Sequence, residues 1–147
     1  MKTHPLSPEQ QNWLKANAVL PTVFLFIILA IFGGVFACLF TSMQGNLFIT
    51  IFFAVASLMF VAVLVAAGVH VYNNFMDLQD GVAQIREAEL TRKHHTYRSP
   101  KTFYAEFEGI GSVTVMGDVY EKLEERETYR VIYSPRTRRG WEVDLRH

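Results

Sequence analysis

The chain has 147 residues, half of them hydrophobic, with 14 basic and 14 acidic side chains and a formal net charge of zero. That balance excludes the broad basic field of a nucleic-acid binder. A single cysteine, Cys38, excludes an intramolecular disulfide and any zinc-type ligand spacing.

The charges are segregated. Residues 1–76 carry only Lys2, Glu9 and Lys15, and the other 12 basic and 13 acidic side chains follow. An apolar half before a charged half predicts a membrane anchor that displays a small soluble domain. A domain of roughly 70 residues is near the lower limit for a self-sufficient core. It is expected to lean on its own anchor, on a copy of itself or on a partner.

Ser7-Pro8-Glu9-Gln10 reads as a helix start, with Ser7 as cap, Pro8 in the first turn and Gln10 at capping-box spacing. The expectation is an interfacial helix within residues 1–18, with Trp13 and Lys15 against the membrane surface. Pro21 is expected to redirect the chain before the first span.

Positions 16–76 are 61 consecutive residues without Asp, Glu, Lys or Arg. One crossing takes roughly 20 apolar residues, so the run has room for two. The first span is read at 19–40, longer than a signal-peptide core, and the second at 47–72. The 41–46 connection is too short for anything but an antiparallel helical hairpin. Ala30, Gly33, Gly34 and Ala37 in the first span, and Ala62 and Ala66 in the second, stand at four-residue spacings that allow close helix packing. Cys38 reads as a small packing residue. His70 is an ionisable group within the second span and a candidate ligand for a haem or chlorophyll. The charge-free 41–46 connection, set against Lys2 and Lys15 on one flank and Arg86, Arg92 and Lys93 on the other, predicts both termini in the cytoplasm.

Residues 73–81 read as a linker that Asp80-Gly81 closes. From 82 to 147 the period changes to two. Phe103/Ala105/Phe107, Val113/Val115, Tyr129/Val131/Tyr133 and Trp141/Val143/Leu145 each alternate with polar neighbours, as half-buried strands do. Residues 118–125 read as a short helix, and 82–91 as strand or helix. The expected fold is a membrane α-helical hairpin plus a small all-β cytoplasmic domain, an OB-like or SH3-like barrel with one short helix.

Catalytic signatures are missing: no Gly-rich phosphate loop, no nucleophile elbow, no HExxH. No catalytic residue, metal site or cofactor is predicted. His94-His95 would point apart on a strand, which argues against one shared metal. Arg136, Arg138 and Arg139 are candidates for contact with lipid headgroups. Arg92, Lys93, Arg98 and Lys101, with the acidic Glu121, Glu124 and Glu125, are candidates for contact with a protein partner. The expected partners are the lipid bilayer and other membrane subunits or a second copy, with no nucleic acid.

The stretch Tyr129-Arg130-Val131-Ile132-Tyr133-Ser134-Pro135-Arg136, followed by Trp141-Glu142-Val143, is similar to the closing hairpin of bacterial two-span membrane proteins with a C-terminal β-barrel. The order of elements resembles that of NfeD-like proteins, which end in an OB-type domain. That resemblance implies a scaffolding or quality-control role at a bacterial cytoplasmic membrane, and it carries no functional residue with it. Three function classes follow. The first is a non-catalytic interaction module, an accessory or scaffold subunit of a membrane assembly. The second is a free-standing membrane protein whose barrel binds a soluble ligand or peptide. The third is a cofactor-contacting subunit of an electron-transfer or photosynthetic complex through His70.

Overall fold

The computed structural model describes residues 2–42, 47–97 and 99–145. Residues 43–46 of the expected interhelical connection, and Arg98, lie outside the described residues. The elements are β1 (Lys2–Pro5), α1 (Pro8–Ser42), α2 (Leu47–Asp80), β2 (Val82–His95), β3 (Phe103–Phe107), β4 (Gly111–Val115), α3 (Gly117–Lys122), β5 (Thr128–Tyr133) and β6 (Gly140–Leu145). The chain divides into two compact units, Lys15–Phe75 and the combination of Met1–Leu14 with Met76–His147.

The first unit holds most of α1 and α2. Both helices are long and apolar enough to cross a membrane. Phe32 stacks on Phe60 at 5.3 Å and Phe36 meets Phe53 edge-on at 4.7 Å, so the two helices run antiparallel. They touch through long aromatic side chains. A Cβ added at Gly33 or Gly34 would meet nothing within 4 Å, and Ala30, Ala62 and Ala66 are exposed. Gly33 and Ala37 line an apolar groove of about 970 Å³ with Phe36, Phe53, Ala56 and Ser57. Pro21 does not end the helix. It sits inside unbroken α1, where proline forgoes one ladder bond.

The second unit is a six-stranded antiparallel sheet with α3 beside it. The strand order is β4-β3-β2-β5-β6, and β1 pairs with the start of β2. The stretch 82–91, open between strand and helix in the sequence, belongs to the 14-residue β2. Its first half pairs with β1 and β5 and its second half with β3. The register skips Thr91 between the Leu90–Phe107 and Arg92–Glu106 pairs. That bulge bends β2 and lets one strand serve two parts of the sheet.

The alternation read from the sequence describes the main core. Leu90, Ala105, Phe107, Val113, Val115, Tyr129, Val131 and Tyr133 are all buried in it. The first correction to the sequence reading concerns the N-terminus. Residues 2–5 form a strand, and the first turns of α1 pack on the sheet. Leu6, Leu14, Ala83 and Ile132 form a second buried cluster, flanked by Trp13, Leu78, Ile85 and Trp141. The sheet unit therefore includes the first turns of α1 and the last turn of α2. The capping box forms as spaced: Ser7 N–H donates to Gln10 Oε1 at 2.9 Å, and Gln10 N–H donates to Ser7 Oγ at 3.3 Å. The helix α2 continues through the residues read as a linker and stops at Asp80. Gly81 follows at φ +65 and donates its N–H to Asp77 O, the left-handed cap that glycine supplies without a Cβ penalty.

The second correction concerns Trp141, expected on the face of Val143. Tyr133 pairs with Gly140 but Ile132 pairs with Glu142, so Trp141 is the extra residue of a bulge. The bulge turns its ring to the second cluster, while Val143 faces the main core.

The sheet is not closed. Between β4 and β6 there is an isolated parallel bridge, Thr114–Arg139, and Thr114 N–H donates to Arg138 O at 2.8 Å. Here Gly140 is buried, and a Cβ on it would meet Val113 Cγ1 at 3.0 Å and Thr114 O and Val115 Cγ1 at 3.3 Å. Gly140→Ala should therefore destabilise the sheet unit by about 1–3 kcal/mol through overpacking. A lowered urea midpoint at unchanged slope checks it, and an unchanged midpoint refutes the close approach.

Candidate interaction surfaces of the sheet unit

Two side-chain clusters of the sheet unit gather the candidate residues, one at the β5–β6 turn and one along the second half of β2. The turn runs from Ser134 to Arg139. Ser134 is fully buried, donates its N–H to Arg139 O at 2.9 Å, and its Oγ accepts from Trp141 Nε1 at 2.9 Å. Arg138 takes φ +54 at the turn's end.

Asp77 holds this turn from outside. It is fully buried, and its two carboxylate oxygens accept the N–H of Arg136 at 3.2 Å and of Thr137 at 2.8 Å. Asp80 Oδ2 pairs with Arg136 Nη1 at 2.9 Å. That pair is exposed enough to be screened and contributes roughly 0–1 kcal/mol. The buried carboxylate with two N–H donors matters far more. The sequence held one sign of it: acidic residues in the last turn of a helix oppose the helix dipole, so Asp77 and Asp80 needed partners of their own.

The three arginines of the turn have different surroundings. Arg136 meets Asp80. Arg138 Nη1 donates to Ile110 O across the sheet. Arg139 lies with its guanidinium carbon 4.8 Å from the ring centre of Trp13 and 6.0 Å from that of Trp141. The two indoles meet edge-on at 5.6 Å. Such faces attract a cation. Burial pushes the Arg139 guanidinium pKa below its usual value. Lys15, read with Trp13 as a membrane-surface residue, is exposed on α1.

The second cluster surrounds a cleft of about 510 Å³ lined by Arg92, Lys93, His94, His95, Tyr97 and Tyr120. The adjacent histidines point apart, as expected. His94 stacks flat on its cross-strand neighbour Tyr104 at 5.1 Å. His95 meets Phe103 and Tyr120 at 6.0 and 6.1 Å. Lys93 is fixed: its Nζ donates to Leu123 O at 2.7 Å and lies 5.2 Å from the Tyr120 ring centre. Its N–H donates to Glu125 Oε1 at 3.0 Å. The structure thus joins Lys93 and Glu125, two residues taken separately from the sequence. Arg92, Lys101, Glu121 and Glu124 are exposed, and Arg98 is outside the described residues. Tyr97, at the cleft with Arg92, is 93% exposed.

His70 is exposed on α2, and its ring is 3.3 Å from Asn74 Nδ2. Among the described residues no group of three His, Cys, Asp or Glu side chains could hold a metal ion. Neither protein-family models, nor curated proteins, nor solved structures give a match to this chain.

Proposed function

We infer that the chain is a non-catalytic membrane-anchored interaction module, an accessory or scaffold subunit of a membrane assembly. In this reading α1 and α2 insert in a bacterial cytoplasmic membrane, and both termini lie in the cytoplasm. The sheet unit is an OB-type barrel, and the scaffolding role is the one the NfeD-like likeness implies. The OB-type reading is supported by the order β4-β3-β2-β5-β6, by α3 between β4 and β5, and by the parallel bridge Thr114–Arg139.

The observation that carries the reading is the cleft beside Tyr97. A tyrosine 93% exposed next to Arg92, His94 and His95 has the composition of an interface anchor. Tyr and Arg are enriched among the residues that carry binding energy at protein interfaces. Lys93 is already held by Leu123 O and Glu125, so it costs little further ordering on binding. The cations select a partner segment that carries acidic and aromatic residues.

A photoreactive amino acid at Tyr97 should capture one membrane-associated protein in native membranes. The same residue at Asp144, exposed on β6, should capture none. Equal capture at both positions, or none at 97, refutes the docking role.

A further inference from the structure

Arg139 is a half-buried cation for which the described residues supply no salt bridge, since the one ion pair of the turn joins Arg136 to Asp80. Its Nε is buried without a hydrogen-bond partner, and so is Oγ1 of Thr137, two residues earlier in the same turn. Both oxygens of the nearby Asp77 carboxylate are engaged by the Arg136 and Thr137 N–H groups. The faces of Trp13 and Trp141 offset part of the desolvation of the guanidinium. A partly buried cation without a counter-ion is otherwise costly, and an external anion relieves that cost.

We propose that Arg139, held between Trp13 and Trp141, binds the phosphate of a membrane lipid headgroup. Guanidinium suits phosphate because its planar donors match two phosphate oxygens at once. The lipid source follows from the two indoles. Tryptophan favours the headgroup level, where one edge meets apolar chains and the N–H meets polar groups. In the sequence Trp13 also stands six residues before Val19, where the apolar run begins, the position that interfacial tryptophans favour. The site rests on the membrane anchorage of the proposed function and not on its protein partner.

The chain contains two tryptophans, and both belong to this cluster. Intrinsic indole fluorescence of the full chain therefore reports on it alone. In an uncharged, phosphate-free detergent, short-chain phosphatidylglycerol should shift the emission saturably. Diacylglycerol of the same chains, and inorganic phosphate at the same concentration, should not. Arg139→Gln should weaken the response at least about tenfold, and Arg130→Gln, exposed on β5, should leave it unchanged. An equal response to diacylglycerol means a purely apolar contact and overturns the site. A response to inorganic phosphate alone means a free-anion site and overturns the lipid source. Should Arg139→Gln fail to fold, Arg139→Lys decides: it keeps the charge and loses the planar fork, so unweakened binding overturns the proposal. Alkaline extraction of membranes tests the anchorage separately, since a chain released by it is not anchored whatever the phosphate result.

Discussion

Asp77→Ala should lower the stability of the sheet unit by about 2–6 kcal/mol. The carboxylate is fully buried and serves two N–H groups of the β5–β6 turn. Its removal leaves both donors without their partner, at about 1–3 kcal/mol each. Asp80 and the Ser134 hydroxyl are already engaged, by the Arg136 side chain and by Trp141. Asp77→Asn tests the sign of the interaction. The amide keeps the shape but turns an N–H₂ toward donors, so it should recover at most half of the loss. Because Trp141 sits in the same turn's hydrogen-bond network, both variants should also shift indole emission. Urea melts of the full chain in detergent give the energies. A loss under about 1 kcal/mol for Asp77→Ala would mean that water replaces the carboxylate freely.

Phe107→Ala should cost about 3–5 kcal/mol, the usual loss for truncating a buried Phe. Phe107 is 1% exposed, lies in the main core and meets Tyr129 edge-on at 6.3 Å. A total stability of roughly 5–15 kcal/mol leaves little after such a loss. Limited proteolysis should then cleave the sheet unit in native buffer. Trp141→Ala should cost less, because Trp141 is only partly buried and faces the second cluster. A larger loss for Trp141 than for Phe107 would invert this ranking of the two cores.

The main core was legible because strand alternation is local. Phe103, Phe107, Val113 and Val131 face inward as their spacing requires, and every pair of adjacent strands is antiparallel. What the sequence hid was long-range pairing. β1 is four polar or constrained residues with no alternation of its own, and it is a strand because β2 offers it an edge. Trp141 was assigned to the wrong face because one inserted residue inverts a period of two, and a bulge leaves no mark on hydrophobicity. Trp13 was read as an interfacial ring from its place before an apolar run, and that spacing gave no sign of its edge-on contact with Trp141, 128 positions away. The cleft at Tyr97 was half visible. The basic cluster could be counted, but His95 and Tyr120 meet only because the second half of β2 runs beside α3's end.

The union of Met1–Leu14 with Met76–His147 carries a consequence for how the chain is made. The N-terminal strand emerges from the ribosome long before its pairing edge on β2 exists. It must wait through the synthesis of both long helices. If those helices enter a bilayer, β1 can reach β2 only when both ends of the hairpin remain on one side. A chain that threads a single crossing strands β1 on the far face and leaves the edge of β2, Leu6 and Leu14 unpaired. Under that condition completion of the sheet would report correct threading: only a chain with both ends on one side could bury that surface, and a misthreaded one would keep an open strand edge.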